Sequence, residues 1–178
     1  MSQLKISVLL SLFICIGFSS FAQMDDKEKF GEALYLMDEN RFSSAEPLLR
    51  EVYANDKENA NINYCLGITI FKTFNENEKE GALPYLEFAS KKVDPNYSYL
   101  DPREKKAPVD TWFYLGKAQH NDYQFLEAIE SFKKFKTYIN DKHQLYNEIE
   151  KSISMSTYAQ QSVKSTYEKY QYVRIFIK

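Results

Sequence analysis

The sequence predicts an all-α protein built from about three helix-turn-helix repeats and closed by a capping helix. Three observations lead to this prediction. A small residue at the end of one apolar stretch recurs along the chain, and each time a second apolar stripe with helical spacing follows it. Apolar residues also recur at helical spacing after residue 141. Finally, 13 Phe and 14 Tyr stand beside only 5 Gly, a composition that favours large buried rings over tight turns.

The clearest repeat begins at Trp112–Gly116, which reads WFYLG. Trp112 and Leu115 fall on one face of a first helix because they are three residues apart. Phe125, Ala128 and Phe132 form a stripe on a second helix. Since glycine and alanine are small, Gly116 and Ala128 should let the two helices approach closely.

Two weaker copies precede it. In the middle copy Leu66 and Gly67 repeat the Leu-Gly pair, and about three additional residues are expected in its turn, around 75–80. In the first copy Ala33 takes the place of the glycine. The second-helix stripes of these two copies are Ala82, Leu86 and Ala89, and Phe42, Ala45, Leu49 and Val52. Both stripes contain the pattern A-x-P-x-L, which predicts Pro47 and Pro84 in a first helical turn, where a missing N–H costs nothing.

The segment from Asp94 to Pro108 separates the second and third copies. It holds three prolines and the charged run 103–106, so it is predicted to be an inserted loop. Two interpretations remain open for it, a solvated spacer and a loop that contacts a partner.

Beyond the third copy, Leu145, Ile149 and Ile153 predict a capping helix from Asp141 to about Lys164. Residues 170–177 are rich in β-branched and aromatic side chains and predict a short strand. The expected organisation is therefore a helical repeat domain over 23–166 and a strand-like tail over 167–178.

The amino-terminal residues have the pattern of a secretory signal. Lys5 precedes the uncharged apolar run 6–18, and Ser20 and Ala22 are small residues at the positions that a signal peptidase reads. The run is shorter than the roughly 20 residues that cross a bilayer as a helix. Cys15 lies inside the run after Ile14, so lipidation is not expected. The sequence predicts a signal peptide over 1–22, export to the periplasm, and no membrane span after cleavage.

Composition and motifs argue against several functions. The formal net charge of −2 provides no basic face for nucleic acid. Cys65 is the only cysteine after residue 22, so an internal disulfide is not expected, and its place beside Leu66 predicts a buried small side chain. His120 and His143 lack neighbours with metal-ligand spacing, and no phosphate-binding or hydrolase motif occurs. We therefore expect no enzymatic activity, no metal and no cofactor.

With these motifs in place, the segment from Asp26 to Asn140 resembles tetratricopeptide repeats, whose period is about 34 residues. More narrowly, the order of features along the chain resembles the amino-terminal module of Bacteroidetes envelope proteins. These features are the end of the signal at 21–23, the degenerate repeats, the Asp94-Pro95 loop and the WFYLG repeat. In that family a β-propeller and often an OmpA-like domain follow, and some members serve type IX secretion and gliding. The resemblance implies that residues 167–178 begin a propeller strand. The functions of the domains that follow do not transfer to this chain.

Stacked helix pairs of this kind form a concave face lined by the first helix of each pair. This face is predicted to bind an extended or helical peptide, with apolar anchors and a basic end. Its expected residues are Phe30, Leu34, Met37, Tyr64, Ile68, Phe71, Lys72, Phe113, Lys117, His120 and Asn121. Any single ring among them would fit the core equally well. The expected function is a periplasmic scaffold, at or near the outer membrane, that holds a protein or peptide of an envelope or secretion assembly. The alternatives are a structural spacer whose own terminal segment fills the groove, and a fragment without binding activity of its own.

Overall fold

Seven α-helices make up most of the residues that the computed structural model describes, which are 24–73, 81–98 and 103–176, with side chains described to residue 167. The helices are α1 (Asp26–Asp38), α2 (Phe42–Asn55), α3 (Ala60–Thr73), α4 (Leu83–Ser90), α5 (Thr111–Asn121), α6 (Phe125–Lys136) and α7 (Tyr146–Phe176). These ranges contain no β-strand. The predicted signal peptide over 1–22 and the predicted turn around 75–80 lie outside them.

Each helix packs mainly on its neighbours in the chain, and α5 is also in contact with α3 and α7. This order confirms the prediction of an all-α class with a solenoid-like arrangement. None of the helices in the described ranges combines the length and the apolar character needed to cross a bilayer.

The three helix pairs bury the predicted stripes. Ala45 and Leu49 of α2, Leu86 of α4, and Ala128 and Phe132 of α6 are all at most 1% exposed. The small residues of the first helices lie opposite. A Cβ built on Gly67 would stand 2.8 Å from Leu86 Cγ, and one built on Gly116 would stand 2.7 Å from Phe132 Cε1. Both glycines are therefore needed for the close approach of paired helices.

The prolines differ from each other in position. Pro84 is the second residue of α4, as predicted. Pro47 is the sixth residue of α2, not a residue of its first turn, because α2 begins already at Phe42, which packs against the core. Pro47 cannot donate to the carbonyl of Ser43, so α2 lacks one internal hydrogen bond at this point.

A helix covers the last pair, as predicted, but it begins at Tyr146 and not at Asp141. Ile149 of α7 is fully buried in a cluster with Phe113, Phe132 and Phe135, and Leu145 and Ile153 pack against that cluster. The structure has a helix, however, where the strand-like tail was predicted, because α7 continues to Phe176. Extending a helix adds one hydrogen bond for each residue fixed, whereas a lone strand pairs with nothing, so the weak β preference of these residues does not decide.

The inserted loop packs against the helices. The backbone N–H of Asp94 donates to Ala107 O at 2.9 Å, and Ala107 N–H donates to Lys92 O at 3.0 Å. Ala107 is fully buried, and an ion pair of 2.6 Å joins Lys106 and Asp94. Ala60 N–H at the start of α3 donates to Lys105 O at 3.0 Å. The described part of the loop is therefore not a freely solvated spacer, since it caps α3.

Candidate functional site

An open cleft of about 650 Å³ lies between α1, the end of α2, the start of α3 and the loop at 103–105. Its apolar lining includes Phe30 and Leu34 of α1, Val52 of α2 and Ile62 of α3. Val52 and Ile62 are buried. Phe30 and Leu34 are half-buried, and part of each of these two side chains faces the opening of the cleft. Two of the residues predicted to bind a partner thus share one cleft.

Hydrogen bonds fix the wall that faces α1. Asn59 Oδ1 accepts from the N–H groups of Asn61 and Ile62 at 3.0 and 3.3 Å and so caps α3. Glu104 Oε1 accepts from the N–H groups of Lys105 and Lys106, both at 2.9 Å. Two further bonds join the loop to α3, from Ala60 N–H to Lys105 O at 3.0 Å and from Asn61 Nδ2 to Glu104 O at 3.4 Å. The wall is preorganised, which lowers the entropic cost of binding.

The rim of the cleft is charged. Lys105 Nζ lies 3.4 Å from Asp56 Oδ2, and Asn55 Nδ2 donates to Asp26 Oδ2 at 2.8 Å. Lys27 is exposed and makes no ion pair with the described residues. An apolar floor with a few polar groups around it is the usual composition of a ligand site.

A smaller cleft of about 350 Å³ lies next to the first, and Asp38 lines both clefts. Its lining includes Met37 of α1, Tyr64 of α3, Tyr97 of the loop and Asp110. Burial raises the pKa of the Tyr64 hydroxyl well above its usual value, and burial also raises the pKa of the Asp110 carboxyl. Tyr97 Oη donates to Asn61 Oδ1 at 2.8 Å, which again ties the loop to α3.

Three predicted groove residues belong to the core instead. Ile68, Phe71 and Phe113 are only 6, 7 and 3% exposed. The Phe71 ring packs edge-on against Tyr114 with centroids 6.3 Å apart. Ile68 and Phe71 are enclosed because α3 is buried on almost every side from Ala60 to Phe71, so its inward face is not a free surface. Phe113 of α5 is enclosed because it packs in the cluster with Phe135 and Ile149.

The predicted basic end of the groove is covered by α7. Lys117 Nζ lies 2.8 Å from Glu148 Oε1 and 5.0 Å from the centre of the Phe113 ring. His120 Nδ1 lies 2.8 Å from Ser156 Oγ. Lys117 and His120 therefore join α5 to α7 and do not line an open groove.

Lys72 and Asn121, the other two predicted residues of this end, are exposed but do not line the described clefts. The Lys72 ammonium lies 5.7 Å from the centre of the Tyr114 ring. Of the residues predicted for the concave face, those of α1 line open clefts, while Lys117 and His120 of α5 are covered by α7.

Sequence reasoning missed the part of the cleft that comes from Gly31, from Asn55 and Asp56 at the end of α2, and from the loop. A glycine inside a helical pattern was a usable signal for Gly31. The loop residues gave no such signal, because their position depends on hydrogen bonds to a helix more than 40 residues away.

Cys65 is fully buried, as predicted, and burial raises the pKa of its thiol to about 12. The group is therefore a neutral thiol at physiological pH. No cluster of three or more His, Cys, Asp and Glu side chains suited to a metal ion occurs in the part of the chain that the structure describes.

Comparison of the sequence with models of known protein families, and with curated proteins, gives no match. The interpretation of the cleft therefore depends on its own geometry.

Acidification is expected to weaken the contact of α5 with α7 through His120. Burial lowers the pKa of His120 below its usual value of 6.5. His120 therefore takes up a proton more readily in the unfolded chain than in the folded one. The contribution of His120 to the free energy of unfolding is fully present above pH about 6.5 and is lost as the pH falls toward the lower pKa of the folded state. Urea unfolding at pH 7.5 and 5.5 should show a larger loss for the wild type than for His120→Gln. Equal losses would contradict this role.

Proposed function

We propose that the chain is a tetratricopeptide-type scaffold of the periplasm that binds a peptide segment of another envelope protein in the cleft between α1 and the loop. The observation that carries this proposal is the cleft itself, whose apolar floor and fixed wall remain open while Lys117 and His120 are covered by α7. Its volume falls within the range of about 300–1,000 Å³ that is typical of ligand sites.

The shape of the cleft suits a chain segment. It follows α1 from Asp26 to Asp38, a length of about 18 Å, which an extended peptide of five or six residues would span. Apolar side chains of that peptide would lie on Phe30 and Leu34 and supply most of the affinity, because apolar anchors in a desolvated pocket dominate binding. The charged rim would fix the direction of the peptide.

The tetratricopeptide type is supported by the WFYLG motif and by the shared register of Gly67 and Gly116 against the second helix of each pair. Export is supported by the pattern of residues 1–22. The resemblance to envelope modules favours a place in an envelope or secretion assembly, with type IX secretion as the expected system.

A structural spacer is the second candidate function. One specific observation favours it, since the chain's own α7 already covers Phe113, Lys117 and His120. In this case the open cleft would have no occupant, and α7 would only close the end of the repeats.

Photo-crosslinking separates the two candidates. Tyr35 lines the cleft and is 57% exposed, so a benzophenone amino acid at this position should form an adduct with the partner in intact cells. The same amino acid at Tyr158, which is 74% exposed on α7, serves as the matched control. The Leu34→Ala change should reduce the adduct at position 35, because it removes part of the apolar lining of the cleft. The circular dichroism spectrum should remain that of a helical protein. Equal adducts at both positions, or none at either, would favour the spacer.

The mass of the crosslinked chain also tests export. Cleavage after Ala22 would leave a chain that begins at Gln23. An intact Met1 or a lipid on Cys15 would contradict export by this route.

A further inference from the structure

Gly31 is a glycine in the interior of a helix. It is the sixth of the 13 residues of α1, and it is exposed. Glycine at such a position destabilises a helix relative to alanine because it loses more backbone freedom on folding. A reason for glycine at this point must therefore come from packing or from binding.

Packing inside the protein does not supply that reason. A Cβ built on Gly31 meets no atom within 4 Å, whereas Cβ atoms built on Gly67 and Gly116 would come within 2.8 and 2.7 Å of neighbouring side chains. The last two glycines are required by the helix pairs. Gly31 faces open space instead, and that space belongs to the cleft.

Its position along α1 creates a gap in the row of side chains that lines the cleft. One line along the helix contains Lys27, Gly31, Leu34 and Asp38, because successive members are four, three and four residues apart. Lys27 and Leu34, on either side of the gap, are separated by about 10 Å along the helix axis. A gap of this size admits a peptide backbone against the helix.

We propose that Gly31 is the specificity-determining residue of the cleft. It admits an extended peptide that has a small residue where the peptide passes Gly31, an acidic residue on one side of that residue and an apolar residue on the other. The acidic residue faces Lys27, which has no ion-pair partner among the described residues, and the apolar one lies on Leu34 and Phe30. This inference rests on the proposed function and adds the sequence that the cleft selects.

Selection from a phage-displayed library of random octapeptides on the purified chain tests the proposal. We expect enriched clones in which Gly, Ala or Ser has Asp or Glu on one side and a large apolar residue on the other, in one constant order. One synthetic peptide of the consensus is then the probe for all variants. Absence of enriched clones, or a consensus without the small residue, would overturn the inference.

The Gly31→Ala variant gives the decisive comparison. Its melting temperature should rise by about 2–4 °C, since alanine favours the helix and its methyl group meets no protein atom. Its affinity for the probe should fall about tenfold, because the methyl group occupies the space of the peptide backbone. Glu32→Ala, at an exposed neighbour that does not line the cleft, is the matched control and should leave the affinity unchanged.

The Lys27→Glu change tests the charged side of the site. It should weaken binding of the same probe, and a new selection on this variant should no longer favour acidic residues.

The outcomes separate the inference from the proposed function. If the probe binds Gly31→Ala as well as the wild type but is lost on Leu34→Ala, the cleft binds peptides and the role of Gly31 is refuted. If neither change affects the probe, the peptide does not occupy this cleft, and both proposals fail.

Discussion

Replacing Phe132 with alanine is expected to destabilise the protein by about 3–5 kcal/mol. Phe132 is 1% exposed and lies where α6 meets α5. Its ring packs on Phe113 at a centroid distance of 6.3 Å and comes so close to Gly116 that a Cβ there would clash with it. Truncation would leave a cavity between two helices that the surrounding rings cannot fill without moving.

Urea unfolding monitored by circular dichroism would measure this loss. Leu126→Ala is the control, since Leu126 lies on the same helix but is 55% exposed, and it should change the free energy of unfolding by less than about 1 kcal/mol. A similar small loss for Phe132→Ala would mean that the register of α5 on α6 differs from the one described.

The Ile149→Asp change is expected to have an even larger effect and to detach α7. Ile149 is fully buried in the cluster that contains Phe113 and Phe135. A carboxylate at this position would lose its hydration without gaining a counter-ion, because Lys117 and Lys136 are already paired with Glu148 and Glu150. An uncompensated buried charge typically costs about 3–5 kcal/mol, and the lost apolar contacts add to this cost.

Hydrogen exchange of the α7 amides would report detachment directly. Val163→Asp is the matched control, because Val163 lies on the same helix and is 56% exposed. It should leave both the exchange of residues 146–156 and the stability nearly unaltered. Equal effects of the two changes would show that the docked part of α7 extends past Ser156.

Small residues and apolar stripes were enough to predict the helix pairs. Gly116 and Phe132 lie within one segment of the chain, and the contact between them follows from helical spacing alone. The capping role of Ile149 could be predicted for the same reason. Local periodicity decides such contacts because the two helices are adjacent in sequence.

Which inward-facing residues remain open could not be predicted in this way. Leu34 and Ile68 occupy comparable places in their helices, one residue after Ala33 and Gly67, yet Ile68 is buried in the core and Leu34 lines the open cleft. The closure of the groove at Lys117 depends on the direction in which α7 leaves the turn after α6, which no spacing encodes. The helical end of α7 could not be predicted either, because β preference is a weaker signal than the extension of a helix that has already formed.

The contact between the loop and α3 also has a consequence for the order in which the chain folds. Most contacts join helices adjacent in sequence, so the mean sequence separation of contacts is small and folding should be fast. The hydrogen bonds from Ala60 to Lys105 and from Asn61 to Glu104 are exceptions, since they span more than 40 residues. Asn59 caps the first turn of α3 locally, but Ala60 N–H acquires its partner Lys105 O only after α4 and the loop have been synthesised and brought back to α3. During synthesis the cleft is therefore completed late, after the helices that form its floor.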